Sequence, residues 1–387
     1  MIGTVPGRGN LRACRPRSGG VTLATDSGLR ATGDGFHRIP LSILDTSPVA
    51  SGRTPADALA ETLDIAQLAD AAGYHRYWVA EHHGMPGGAS SAPAVLIAAI
   101  ADHTRSIRVG SGGVMLPNHA PLVIAEQFGT LEALHQGRID LGLGRAPGSD
   151  QLTAYALRRW QASRDGDNED DFTPRLAELL AFFDGDFGGD HPFARIQATP
   201  ARGYTPQVWL LGSSDFSARL AGQLGLRFAF ANHFSGHDTA AVARIYRTSF
   251  QPSPDLAAPH LLVTANAIAA PDAEQARVLA EPIGLFFTQL RSGRPGPWPS
   301  AAEVAAHPWT AAERAMAQER VDGVLTGSPA EVVAKLEQLA AATGADELMV
   351  TTMTHEHAAR RRSVELLADA WRTEPALAGS SIGSSAG

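Results

Sequence analysis

From Ile39 onward the chain repeats one pattern, a short apolar run followed by an amphipathic segment and then another apolar run. Such alternation is the signature of βα units around a parallel sheet, whose strands are covered on both faces and read as nearly continuous hydrophobic stretches. Eight strand candidates can be counted, at residues 39–44, 77–80, 107–110, 139–143, 208–211, 228–231, 261–265 and 348–351. Eight favour a closed α/β barrel of the (β/α)8, or TIM, type, and 387 residues accommodate one such domain with insertions.

Local punctuation supports the helices between these runs. Thr54, Pro55 and Asp57 supply a capping hydroxyl, a proline suited to the first helical position and a carboxylate that complements the helix dipole. Leu59, Leu63, Ala66 and Leu68 then give one apolar face, and Gly73 ends the helix. Similar signals predict helices near 93–103, 121–136, 214–224, 328–341 and 355–372. Two long interruptions follow the fourth and seventh strands. One runs from about 148 to 206 with a helix near 175–183; the other runs from about 285 to 325 and is rich in Gly, Pro and Trp. In barrels of this type the site lies where the strands end, so both interruptions are placed to shape a pocket. The second is read as a mobile lid, with an ordered helical embellishment as the alternative. Residues 1–35 and 375–387 lack apolar periodicity and read as a flexible extension and a flexible tail around one domain spanning 36–374.

Several function classes are excluded early. A formal charge of -8 opposes nucleic-acid binding, which needs a basic stripe. No run of 18 apolar residues and no apolar signal core is present, so neither a membrane nor export is expected and the reading is cytoplasmic. Cys14 is the only cysteine, which rules out a disulfide framework or a cysteine metal site. Of the 32 basic residues only Lys335 is a lysine, a bias of GC-rich coding that says nothing about chemistry.

The chemistry-bearing residues fall at expected strand ends. Glu81-His82-His83 follows the second strand, and because neighbouring strand side chains diverge, His82 and His83 cannot both face one centre. One of them is a candidate general base or hydrogen-bond donor. His355-Glu356-His357 sits at a helix start with no standard ligand spacing, so no metal site is expected. Gly110-Ser111-Gly112-Gly113 after the third strand allows close backbone approach to a flat ligand or, as simply, a tight turn. Arg145 stands among small residues at the fourth strand's end, and Gly212-Ser213-Ser214 leads from the fifth strand into a helix. An arginine fork and free helix amides together resemble a phosphate clamp. No Walker motif or complete dinucleotide fingerprint occurs.

In order and spacing, residues 41–48 (LSILDTSP), 78–83 (WVAEHH), 112–121 (GGVMLPNHAP), 137–148 (GRIDLGLGRAPG), 211–214 (LGSS) and 346–351 (DELMVT) resemble the bacterial luciferase-like flavin-dependent monooxygenases, in particular the single-chain luciferase-family oxidoreductases. The resemblance spans about residues 36–372. It implies a site for reduced FMN in the barrel mouth, with Gly112 and Gly113 matching a pair that often forms a non-prolyl cis peptide beneath the flavin. Arg145 matches the phosphate-binding arginine, flanked by Ala146 and Pro147, while Gly212, Ser213, Ser214 and Ser217 match the phosphate turn. His82 matches the catalytic histidine, beside Glu81, and Asp45 and Ser47 fall in the strand-one loop that borders the ring in related proteins. The implied reaction is hydroxylation or epoxidation of an organic substrate by reduced FMN and O2 through a C4a-peroxyflavin, as in secondary-metabolite (polyketide) biosynthesis. A separate NAD(P)H:flavin reductase would supply the cofactor, and a homodimer is implied. Where luciferase has a reactive cysteine just before the phosphate arginine this chain has Gly144, which argues against light emission from an aldehyde. The family also contains F420-dependent dehydrogenases, so F420 remains an alternative cofactor, and a non-catalytic flavin-binding protein is a third reading.

Overall fold

The computed structural model describes residues 38–146, 148–158, 172–188, 190–235 and 237–373. The expected N-terminal extension and tail, the outermost residues of the expected domain and Pro147 lie outside the described residues. Among the described residues nine strands form: β1 (Leu41–Asp45), β2 (Arg76–Val79), β3 (Arg108–Met115), β4 (Ile139–Gly144), β5 (Gln207–Gly212), β6 (Arg227–Phe230), β7 (Leu261–Ala269), β8 (Leu325–Gly327) and β9 (Glu347–Thr351). Parallel pairing runs from β1 through β2, β3, β4, β5, β6 and β7 to β9, and β9 pairs back to β1. The ring closes with eight strands, and sequence and structure agree on each. The ninth, β8, is a three-residue strip on the far end of β7, too short to show a periodicity.

Helices surround the ring: α1 (Pro55–Ala71), α2 (Pro93–His103), α3 (Pro121–Leu134), α4 (Gln151–Arg158), α5 (Phe172–Asp184), α6 (Asp215–Gln223), α7 (Thr239–Ser249), α8 (Ala273–Arg291), α9 (Ala301–Ala306), α10 (Ala311–Asp322), α11 (Pro329–Thr343) and α12 (His357–Arg372). The start of α1 is a full capping box: the Asp57 amide donates to the Thr54 hydroxyl at 3.2 Å while the Thr54 amide donates to the Asp57 carboxylate at 2.9 Å. The second interruption is mainly helix, made of the end of α8, then α9 and α10. Buried Pro282 lies inside α8, so this helix passes through a residue that ordinarily ends one.

Strand parity divides the core in two. Ile43, Tyr77, Val79, Val109, Leu141 and Val263 point outward and pack against the helices in the main hydrophobic cluster. Leu44, Trp78, Trp209, Ala229, Leu262 and Met349 point inward and fill the barrel's middle. Below them lies a charged floor. The Arg76 guanidinium donates to Asp140 at 2.8 Å, to Glu347 at 3.0 Å and to Gln207 at 2.8 Å, and stacks 4.8 Å from the Trp209 ring. Arg108 donates to the other Asp140 oxygen at 2.6 Å, and Trp78 Nε1 donates to Asp140 at 2.9 Å. Burial alone would raise the Glu347 pKa, but the Arg76 charge, the nearby His260 imidazole and a hydrogen bond from Ser42 hold it down at about 2.

Removing the cation leaves two buried carboxylates opposed, so Arg76→Leu is expected to cost about 3–5 kcal/mol in urea unfolding. The Glu347 contribution is complete above the ordinary carboxylate pKa of 4.5 and is lost as pH falls toward about 2. The urea midpoint should therefore decline with acid across that window, and Glu347→Gln should make the decline shallower.

Candidate active site

At the C-terminal ends of the strands the inward-facing residues open into a cavity of about 380 Å³, within the range of small-molecule sites. Its base is the aromatic and aliphatic middle layer, with Leu44, Trp78, Leu211 and Met349 at its lower wall. The upper wall draws on the second interruption through Phe286, Phe287, Leu290 and Trp298. That segment therefore does more than pack against the barrel. Indole and phenyl rings of Trp298 and Phe286 meet at 4.6 Å.

The peptide between Gly112 and Gly113 is cis, and the pair sits where the β3–β4 register shifts, between Ser111 and Val114. Both residues line the cavity. A Cβ on Gly113 would lie 2.7 Å from the Gly142 carbonyl oxygen, a backbone atom that cannot swing aside, so no side chain fits there.

Arg145 follows β4 directly and reaches across to α6, where its guanidinium lies 4.7 Å over the Phe216 ring. Among the described residues no carboxylate pairs with it. Ser214 is the N-cap of α6 and makes no side-chain capping bond, so the first-turn amides keep their hydrogen-bonding capacity. Ser217 is buried on the first turn, and a Cβ on Gly212 would lie 2.3 Å from its Oγ. Glycine at 212 is what lets the Ser217 hydroxyl approach the end of β5. Arg145, Ala146, Gly212, Ser213, Ser214 and Ser217 thus come together at one side of the cavity. This is an unpaired cation facing an uncapped helix N-terminus, an arrangement suited to a phosphate.

His82 also lines the cavity, next to Ala80 and two inward steps above Trp78. Its side chain has no hydrogen-bond partner among the described residues, and burial pulls its pKa below the ordinary value despite the nearby Glu81 charge. The neutral imidazole is free to accept or release a proton.

Three expected site residues are placed elsewhere, for one reason. Asp45, Ser47 and Glu81 have the parity opposite to Leu44, Ala80 and His82, so they face away from the cavity. Asp45 pairs with Arg360 of α12 at 2.6 Å and accepts a hydrogen bond from the Tyr77 hydroxyl, while the Ser47 hydroxyl accepts from Thr62 of α1 at 2.9 Å. They fasten two helices to β1 and do not border the cavity. Glu81 is fully buried and one of its oxygens accepts from both His83 and His119, each at 2.8 Å. The other oxygen accepts from the Met115 amide at 3.1 Å. These bonds outweigh burial and hold the Glu81 carboxyl below its ordinary pKa. The ligand-type atoms of Glu81, His83 and His119 all lie within 4.8 Å of one another, a grouping hidden in the sequence because His119 stands 38 residues from Glu81. Their mutual hydrogen bonds tie the β2 end to the β3 loop.

The cavity also holds residues that sequence reasoning missed, including Thr46, Met85, His233, Thr264 and Met353. His233 carries a usable signal: it lies two inward steps beyond Ala229, so the parity rule that singles out His82 also finds it.

The two roles separate by stability. Glu81→Ala strands two imidazole donors and one amide and is expected to cost at least about 2 kcal/mol in urea unfolding. His82→Ala, which breaks no bond among the described residues, is expected to stay within about 1 kcal/mol of the parent.

Comparison with known proteins agrees with this geometry. The family model described as luciferase-like monooxygenase matches residues 39–347. YvbT of Bacillus subtilis (strain 168) is 49% identical over 332 residues, covering 86% of this chain and 96% of its own. A luciferase-like monooxygenase of Escherichia coli (strain K12) is 45% identical over 331 residues, with the same coverage. Among solved structures, that of apo-MsnO8 superposes with a TM-score of 0.77 at 37% identity, covering 88% of this chain and all of the other. No helix among the described residues is long and apolar enough to cross a membrane. With a closed parallel barrel, a cis Gly-Gly bond at its mouth and the family pattern running through nearly all of the barrel, the chain belongs to the luciferase-like monooxygenase family.

Proposed function

We propose that this protein is a monooxygenase that binds reduced FMN and uses O2 to hydroxylate or epoxidise an organic substrate. The observation that carries this reading is the convergence of Arg145, the uncapped start of α6 and Ser213, Ser214 and Ser217 on one side of a cavity whose other wall presents His82. The residues present fit the cofactor. A phosphate would accept hydrogen bonds from the Arg145 fork, the first-turn amides and the serine hydroxyls. A flat ring system requires a wall without side chains, which Gly112 and Gly113 supply. Reduced FMN, when bound, supplies the activation of O2 and the transfer of one oxygen atom.

The protein's own contribution is positioning and proton control. Trp298, Phe286 and Phe287 line the cavity with apolar surface that disfavours water beside a bound ligand. His82, kept neutral by burial, holds or moves a proton at a ring nitrogen facing the cavity. Named monooxygenases among the relatives support the reaction class; one, an N-acetyl-S-alkylcysteine monooxygenase of Bacillus subtilis (strain 168), is 35% identical over 336 residues. Fold alone does not choose the cofactor, because neighbours at 22% and 14% identity include an FMN complex of a 3,6-diketocamphane monooxygenase component and an F420-dependent secondary alcohol dehydrogenase. A separate NAD(P)H:flavin reductase supplies the reduced flavin on this reading.

Anaerobic titration with reduced FMN and with reduced F420 decides between them. Selective FMN binding followed by oxygen-dependent product formation is expected; F420 binding without oxygen reactivity would move the assignment to a dehydrogenase, and oxygen uptake with no organic product to a flavin-binding protein. Arg145→Ala should weaken reduced FMN binding roughly 10- to 100-fold, the weight of charge-assisted hydrogen bonds. His82→Ala should leave that affinity within a few-fold and lower turnover much further. Turnover equal to the parent would remove His82 from the mechanism.

A further inference from the structure

The wall opposite His82 carries a second histidine that the proposed reaction leaves unused. His233 lies in the short turn 232–234 after β6, with its ring edge-on to Phe234 at 4.5 Å. Its backbone is pinned by Asn266, whose amide nitrogen donates to the His233 carbonyl at 3.0 Å. Its Nδ1 is 2.5 Å from the Thr264 hydroxyl, and that hydroxyl lies 3.1 Å from the Phe230 carbonyl. A threonine hydroxyl has one hydrogen, and a carbonyl can only accept. The arrangement that satisfies both contacts sends the hydroxyl hydrogen to Phe230 and the Nδ1 hydrogen to Thr264. This leaves Nε2 as an unprotonated acceptor, and among the described residues nothing occupies it. Burial, with a smaller push from His82, takes the His233 pKa down to about 3, so the ring stays neutral.

Much of the remaining lining of the cavity is apolar, including Met85, Phe286, Phe287, Leu290, Trp298 and Met353. Among the described lining residues Arg145 is the one permanent cation, and it stands with the α6 serines on the proposed phosphate side. With Arg145 engaged by a phosphate, an anionic substrate would find no second permanent counter-charge among the described lining residues.

We propose that the substrate is an uncharged, largely apolar molecule carrying one hydroxyl of phenol or enol type, and that this hydroxyl donates a hydrogen bond to Nε2 of His233. The proposal rests on the cavity being the substrate site of the reading above, yet its test does not require the cofactor to be FMN. A site that presents a buried acceptor disfavours an analogue that lacks the donor, because the acceptor is then left dry and unpaired.

The test uses three small probes of similar shape: 4-propylphenol, its methyl ether 4-propylanisole, and 4-propylbenzoate. Binding to the full chain is measured by calorimetry without cofactor and again with saturating reduced FMN under anaerobic conditions. The phenol should bind about tenfold tighter than the ether, and the benzoate weaker than both. His233→Leu should bring phenol and ether to equal affinity while leaving the ether unchanged, which also reports an intact pocket. His233→Gln, which keeps an acceptor near the Nε2 position, should restore most of the preference. Thr264→Val, which removes the partner that orients the ring, should shrink it and provides the same comparison if His233→Leu does not fold. In 15N NMR of histidine-labelled parent protein, His233 should show a protonated Nδ1 and a bare Nε2. Equal binding of phenol and ether by the parent, tightest binding of the benzoate, a preference that survives His233→Leu or Thr264→Val, or a protonated Nε2 would each overturn the proposal. Phenol selectivity without any FMN affinity would instead uphold it and overturn the cofactor assignment alone.

Discussion

The guanidinium of Arg76 is buried where four strands present their inward side chains at one level, and a cation in that position is tolerated only with its partners in place. Asp140 on β4, Gln207 on β5 and Glu347 on β9 must therefore stand at the height of Arg76 on β2. That requirement ties the register of strands that are not all neighbours, across the interior of the ring. Because side chains alternate, register at the floor sets what lies at each level above it. On β2 the inward steps run from Arg76 to Trp78 to Ala80 to His82; on β4 they run from Asp140 to Gly142 to Gly144. A slip of one residue would send His82 to the helices and Glu81 into the cavity.

This dependence explains what could be read in the sequence. Strands buried on both faces leave compact apolar runs, so the eight barrel strands and their closure are legible, as is the α1 start, whose capping residues are adjacent in sequence. The cavity-lining residues at 145 and 212–217 are legible because each cluster is contiguous. Long-range pairing is not. Nothing near Asp45 announces Arg360, and nothing near Glu81 announces His119, so the charged residues at these strand ends read as site residues when they are fasteners. Parity was available for both, since Asp45 and Glu81 are out of step with Leu44 and His82. Applied to β6, the same rule reaches His233. The contribution of Phe286, Phe287 and Trp298 was beyond it, because α8 and the loop after it join the cavity through tertiary packing and no strand period reports that.

Charge is arranged differently at the two ends of the barrel. At the floor, Arg76 and Arg108 face Asp140 and Glu347, and the pKa values of both carboxyls are held below the ordinary range despite burial. Outside the ring, Asp45 is matched by Arg360 in the same way. At the mouth, Arg145 has an aromatic ring for a neighbour and no carboxylate among the described residues. An arginine that needed only to be stabilised could have been paired as the others are. Its setting beside uncapped helix amides leaves positive potential that a bound anion can use.

The rest of the cavity works by the absence of charge. His82 and His233 face a shared apolar space, burial lowers the pKa of each, and protonation of either makes the other harder to protonate. The imidazoles are therefore neutral at physiological pH, burial of His82 outweighing the nearby Glu81 charge. A cavity with one fixed cation, and two neutral imidazoles among aromatic and thioether side chains, could sort two ligands without a dividing wall: an anionic one would be held at Arg145, and an uncharged one would be left the apolar lining.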